Sequence, residues 1–224
     1  MNPLAQSPDE RFDLVDARGN PLGVAKRRAD VHRDGDWHRA VHLWVVNAEG
    51  PRAWVVLQRR SLAKDTWPGR VDVSVAGNLA SGETADDALR EADEEIGLVV
   101  TPAQTRWLGR AAKRLALPDG GCDNEILDVY ATRTARAFES LRPHPAEVAA
   151  LLAVDLDEAL ALWAGACARA PARSLSPDGV VTATAVHGED LCAPDGGLRA
   201  RSLAAVRAWL AGEPLPPWPA LGAT

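Results

Sequence analysis

The segment Phe12 to Lys26 holds two short apolar runs on either side of Arg18-Gly19-Asn20-Pro21, a cluster of turn formers, and the pattern predicts a β-hairpin. A polar stretch, VHRDGDWHRA, follows. Two β-branched runs, VHLWVVN and AWVVLQRR, are separated by Ala48-Glu49-Gly50-Pro51 and predict a central pair of strands. Lys64 to Arg70, KDTWPGR, has the composition of a loop, and VDVSVAG from Val71 alternates as a short strand. Further strands are expected at Thr105–Ala112, Glu125–Arg133 and Val148–Val154, with a helix from about Asp157 to Ala164. The order is mixed β with few helices, which predicts an α+β domain or an α/β/α sandwich. From Gly165 to Leu198 the chain turns small, polar and turn-rich and predicts an irregular segment. Arg199 to Leu210 has helical spacing, and a Pro-rich tail, EPLPPWPALGAT, ends the sequence.

These elements divide the chain into a flexible start at 1–10, a domain at 11–165 and a C-terminal extension at 166–224 packed on it. At 224 residues, 46% of them hydrophobic and 25% charged, the chain has the balance of a globular protein with a buried core. A net charge of −6 argues against nucleic acid as a partner, since that grip needs a basic face. No basic and apolar leader is found, and no apolar run approaches the ~20 residues that span a bilayer. Cys122, Cys167 and Cys192 are widely spaced, without a C-x-x-C pair, and read as reduced thiols. The expectation is a cytoplasmic protein with no membrane partner. No heptad or interface stripe marks an oligomeric state.

One segment carries chemistry. Thr84 can cap a helix with Asp87 three positions on, and Gly97 can end it. At 100° per residue Ala85, Leu89, Ala92 and Ile96 fall on one stripe, and Asp87, Glu91, Glu94 and Glu95 on the opposite side. Glu91, Glu94 and Glu95 stand at i, i+3 and i+4, where carboxylates repel unless cations sit among them, either solvent counterions or a bound metal. Acidic outer faces of amphipathic helices are usually just solvated, so it is the surrounding order of residues that points further.

GNLASGETADDALREADEEIGL, from Gly77 to Leu98, resembles the Nudix box, G-x5-E-x7-R-E-U-x-E-E-x-G-U with U aliphatic. Gly77, Glu83, Arg90, Glu91, Glu94, Glu95, Gly97 and Leu98 fill its positions, and Ala92 is a small occupant of the first aliphatic one. Six residues stand between Glu83 and Arg90 where the box has seven, which shortens the loop or the first helical turn. The resemblance implies the Nudix fold, an α/β/α sandwich with a mixed sheet and a loop–helix–loop box. It also implies Glu91, Glu94 and Glu95 as ligands of Mg²⁺, or of Mn²⁺ in its place, with Arg90 orienting them.

Over roughly residues 11–165 the chain is similar to the isopentenyl-diphosphate-isomerase-like branch of that superfamily, through residues 31–46, 57–78 and 122–130. That branch's isomerases use a Cys on the strand preceding the box. Val71 to Gly77 has none. The implied activity is therefore Mg²⁺-dependent hydrolysis of a diphosphate linkage in a small isoprenoid or nucleotide substrate, the branch pointing to the isoprenoid. An isomerase-like enzyme and a catalytically silent ligand-binding module are the alternatives. Glu94, Glu95 or Glu125 can serve as general base. Arg60 is the preferred phosphate contact, with His38, Arg39 and Lys64 beside it in the matching segments. His32 and His42 read as structural, and Trp37 and Trp67 flank the expected pocket.

Overall fold

The computed structural model describes residues 7, 9–64, 66–117, 120–192 and 195–221. Nearly all of the expected flexible start lies outside these. The turn at Gly19 folds β1 (Arg11–Val15) against β2 (Pro21–Arg27) as the sequence predicts. A short helix, α1 (Arg28–Asp34), follows and takes in the start of the polar stretch, for which the sequence assigned no element. It buries Val31 and His32 and stops at Gly35, whose left-handed backbone (φ 68°) accommodates the turn.

β3 (Trp37–Asn47) is the spine of the sheet. β4 (Trp54–Arg60) follows it, yet only Val46↔Val55 and Asn47↔Trp54 pair the two, so the expected central pair splays apart. The reason lies in the next segment. VDVSVAG splits into β5 (Val71–Asp72), which pairs with β4, and β6 (Val75–Asn78), which pairs with β3. At the break Ser74 donates to the Val56 carbonyl and accepts from the Val45 amide (2.8 Å), stitching both strands while holding them apart. The opening between them is where the cleft forms.

The box helix α2 (Glu91–Ile96) comes next, then β7 (Thr105–Ala116) and β8 (Cys122–Arg133). β8 runs parallel to β3 over ten residue pairs, while the other pairings among the described strands are antiparallel, and makes the sheet mixed. β9 (Val148–Asp155) lines the far side of β4, and α3 (Leu156–Trp163) starts on an Asp155 cap. The segment expected to be irregular contains a hairpin, β10 (Arg169–Leu175) and β11 (Val181–His187), which extends the sheet beyond β9. Its strands escaped the sequence reading because β11 presents a mostly exposed face of Thr and Ala with no apolar alternation. α4 (Leu198–Ala211) packs on α3.

Alternation along β3 builds the two layers. Trp44 and Val46 join Leu57, Val154 and the apolar faces of α3 and α4, while Leu43 and Val45 join Val56 and the Leu89, Ala92 and Ile96 stripe of the box. This is the α/β/α sandwich the pattern predicts. The Pro-rich tail lies over β7: Trp218 sits so close to Gly109 that a Cβ there would stand 2.1 Å from the indole Nε1. Among the described residues no helix is long and apolar enough to cross a membrane.

Candidate active site

The box folds as an overwound start followed by a true α-helix. Thr84 and Asp87 make the expected reciprocal cap, Thr84 N–H to Asp87 Oδ2 at 2.8 Å and Asp87 N–H to Thr84 Oγ1 at 3.3 Å. Asp87–Arg90 then form a 3₁₀ turn before α2 begins at Glu91. A 3₁₀ helix rises about 2.0 Å per residue against 1.5 Å in an α-helix, so the tighter turn lets six residues span what seven would otherwise cover. The missing residue is absorbed there. Glu83 still meets Arg90, Nε to Oε1 at 2.9 Å and Nη2 to Oε2 at 3.2 Å.

Arg90 is the hub of the acidic face. Besides Glu83 it donates to Glu91 and to Glu94 (3.1 Å). Glu91 lies across Gly77, where a Cβ would approach its Cγ to 2.4 Å, so only glycine lets the carboxylate rest on the strand. The three carboxylates have different surroundings. Glu94 is exposed, Glu91 is mostly buried, and Glu95 is 1% exposed behind them. Glu95 accepts from Gln58 (3.2 Å) and the Ala76 amide (3.4 Å) and faces the Lys64 ammonium at 3.5 Å.

Burial pushes the Glu95 carboxyl up to about 8, because Lys64 offsets only part of the lost solvation and Glu91 and Glu147 repel its charge. Burial likewise raises Glu91 to about 7 against the pull of Arg90, helped by Glu94 and Glu147. In both, the neighbouring cation, Arg90 or Lys64, offsets burial only in part. An oxygen-rich acidic set of this kind suits a hard divalent ion.

Glu91 and Glu94 line a cleft of about 420 Å³, with Arg60, Lys64, Arg90 and Glu147 also in its lining and Glu95 buried outside it. Arg60 is held by the Thr66 carbonyl (2.8 Å) and hydroxyl (2.9 Å), with Asp72 3.8 Å away. Lys64 bridges Glu95 and Glu147. Trp67 lines the cleft with a strained backbone (φ 51°), the only described non-glycine residue in that region. Glu125 reaches the cleft floor paired with Lys113 at 2.8 Å.

Two expected contacts are not at this cleft. Arg39 is absent from its lining and reaches instead toward Asp128 (3.4 Å). His38 is fully buried, stacked on Phe12 at 4.9 Å, with Nε2 3.5 Å from Asp123 Oδ1. His32, read as structural, joins it: one ligand atom each of His32, His38 and Asp123 lies within 4.8 Å of the others. Imidazole and carboxylate donors in that arrangement form a second group able to hold a divalent cation. Lys113 stands 3.7 Å from its Asp123. Trp37 lies under Arg114 at 5.0 Å rather than in the cleft lining.

Glu147, Lys113 and Arg199 were not singled out by the sequence. Glu147 and Arg199 are placed by folding against Lys64 and Asp72 far away in the chain, Lys113 by direct pairing with Glu125 across β7 and β8, and no local pattern marks any of them.

Residues 36–174 match the NUDIX domain family, and the box sits inside that span. The chain belongs to this family. An uncharacterized Nudix hydrolase of Clostridium acetobutylicum is 33% identical over 67% of this chain and 72% of its own. An isopentenyl-diphosphate Δ-isomerase of Escherichia coli is 33% identical over 58% of this chain and 70% of its own. A crystal structure from Deinococcus radiodurans superposes with a TM-score of 0.53 at 27% identity, covering 70% of this chain and 90% of that one. The Nudix protein thus combines similarity to family hydrolases with similarity to the isomerase branch. Among the described residues that line its cleft no cysteine occurs. Cys192 lies buried nearby, its thiol held far up by burial and by the Asp72 charge.

Proposed function

We propose that the protein is a divalent-cation-dependent hydrolase that cleaves a diphosphate linkage in a small polar substrate. The observation that carries this reading is that Glu91 and Glu94, with Glu95 buried beside them, stand in the same cleft that is lined by Arg60 and Lys64. Glu91, Glu94 and Glu95 would hold Mg²⁺, or Mn²⁺ in its place. When bound, the ion supplies neutralisation of phosphate charge and acidifies water. Arg90 fixes Glu91 and Glu94 through its guanidinium fork, and Arg60 and Lys64 are the phosphate contacts.

Glu147 is the proposed general base. It lines the cleft with Glu91 and is close enough to Glu91 and Glu95 to raise both; Lys64 pairs with it as Lys113 pairs with Glu125. Glu95 is too enclosed to reach a substrate water. Cleavage at phosphorus rather than isomerisation is favoured by Ala76 on the strand before the box and by a cysteine-free lining.

Apart from Ala40, Val41, Trp67, Ala76, Gly77 and Leu115, the cleft is lined by polar and charged residues. A prenyl chain gains about 0.8 kcal/mol per CH₂ only where it meets apolar surface. That favours a nucleotide-type substrate over the isoprenoid. Three free thiols fit a reducing, cytoplasmic setting.

The test is a panel of nucleoside diphosphate derivatives and prenyl diphosphates incubated with Mg²⁺, reading monophosphate or phosphate release. Release from nucleotide substrates, lost in Glu95→Gln and on chelation, is expected. Preferential release from prenyl substrates refutes the polar-substrate reading, and binding without release from any compound refutes hydrolysis.

A further inference from the structure

α4 lies outside the stretch that matches the family, yet it delivers a charge to the cleft floor. Arg199, one residue into that helix, is 3% exposed. Its Nε and Nη2 both stand 2.8 Å from Asp72 Oδ1, and its Nη1 is 2.8 Å from Asp195 Oδ2. Asp195 also accepts from the backbone amides of Gly197, Leu198 and Arg199 at 3.0–3.1 Å. Helix start and guanidinium are therefore clamped as one unit, with the guanidinium over the Trp163 ring at 5.1 Å. The second oxygen of Asp72 faces Arg60 Nη1 at 3.8 Å.

Asp72 thus joins Arg60 to Arg199, which is itself paired with Asp195, and Arg60, Asp72 and Arg199 all line the cleft. His42 lines the same floor. It is 3% exposed, and its Nδ1 has no hydrogen-bond partner among the described residues. A buried ionic network is a weak source of stability, and apolar packing would tether α4 at least as well. Its position against the cleft, with Arg60, Asp72 and Arg199 all in the lining, has a use that a tether does not explain.

We propose that Arg199 is a positioning residue for substrate: it fixes Asp72 and through it Arg60, so that the deep end of the cleft presents a rigid anion-binding subsite built jointly by the family domain and the C-terminal helix. This rests on the diphosphate reading above. The subsite takes a phosphate oxygen of the diphosphate, and the orphan His42 nitrogen meets a polar group beside it.

Inorganic pyrophosphate with Mg²⁺ is the probe, titrated calorimetrically against the full chain and against Arg199→Gln, Arg199→Lys and Asp195→Asn, with KM, kcat and melting temperature measured alongside. Arg199→Gln is expected to weaken pyrophosphate binding about tenfold and raise KM by a similar factor, with kcat within about threefold. Arg199→Lys should recover part of the loss by restoring charge without the fork, and Asp195→Asn, outside the cleft lining, should lose about threefold. If Arg199→Gln does not fold, the other two variants carry the comparison. Lower melting temperatures with unchanged binding and KM make Arg199 a tether only and overturn the proposal. Failure of the wild-type chain to bind pyrophosphate overturns the diphosphate reading itself, and the positioning role with it.

Discussion

Raising the pH of the metal-free protein from 6.5 to 8 should destabilise it, and divalent metal should cancel the effect. Glu95 is raised from 4.5 to about 8 and Glu91 to about 7, both first by burial. A group whose folded pKa lies above its unfolded one contributes stability that is complete below the unfolded value and is lost as pH rises through the folded one. At 1.36 kcal/mol per tenfold, Glu95 alone loses about 2 kcal/mol across this window, and Glu91 adds somewhat under 1 kcal/mol before it saturates near 7. His42 works in the opposite direction. Burial holds it neutral, down to about 3, so its contribution is lost as pH falls below 6.5 and is flat above. Below 6.5 the two trends compete, and the window above isolates the carboxyls. For a chain of this length 2–3 kcal/mol corresponds to roughly 5–10 °C in melting temperature. The assay is thermal denaturation at fixed ionic strength across pH 5–8.5, with chelator and with Mg²⁺ or Mn²⁺. With metal present the slope should vanish or reverse, since binding requires the ionised carboxylates and releases their protons. A chelated protein whose melting temperature is flat or rising between pH 6.5 and 8, or a slope indifferent to metal, refutes the cation-site reasoning.

Two substitutions probe the same geometry. Gly77→Ala places a methyl 2.4 Å from Glu91 Cγ, which must displace the carboxylate; a fall in Mg²⁺ affinity of about tenfold and a stability loss of about 1–3 kcal/mol are expected by calorimetry and denaturant titration, and unchanged affinity counts against Glu91 as a ligand. Glu147→Gln keeps the shape of the side chain while removing its basicity, so kcat should fall about 10²-fold or more with KM within a few-fold; a kcat within twofold of wild type assigns the base elsewhere.

How much of this was legible beforehand follows from the range over which each feature is encoded. The hairpin at Gly19, the strands expected at 105–112 and 148–154, which run on to 116 and 155, and the dry stripe of the box depend on neighbours two to four positions apart, which a sequence displays directly. So do the Thr84–Asp87 cap and the Gly97 stop, whereas the missing residue before Arg90 left loop and first helical turn as alternatives, and the fold tightens the turn. Neither Arg39 nor His38 meets the cleft, since folding gives them Asp128 and the Phe12–Asp123 surroundings instead, and the opening itself is set by β5 and β6 being shared between β4 and β3. The β10–β11 hairpin owes its place to pairing with β9 rather than to any apolar rhythm of its own. The chain by itself determined an acidic helix with one buried face and the family to which it belongs. Only tertiary structure brought Glu147 to Lys64 and Arg199 to Asp72, because a charge far away in sequence acquires a role when burial strips its water and leaves a particular opposite charge to replace it.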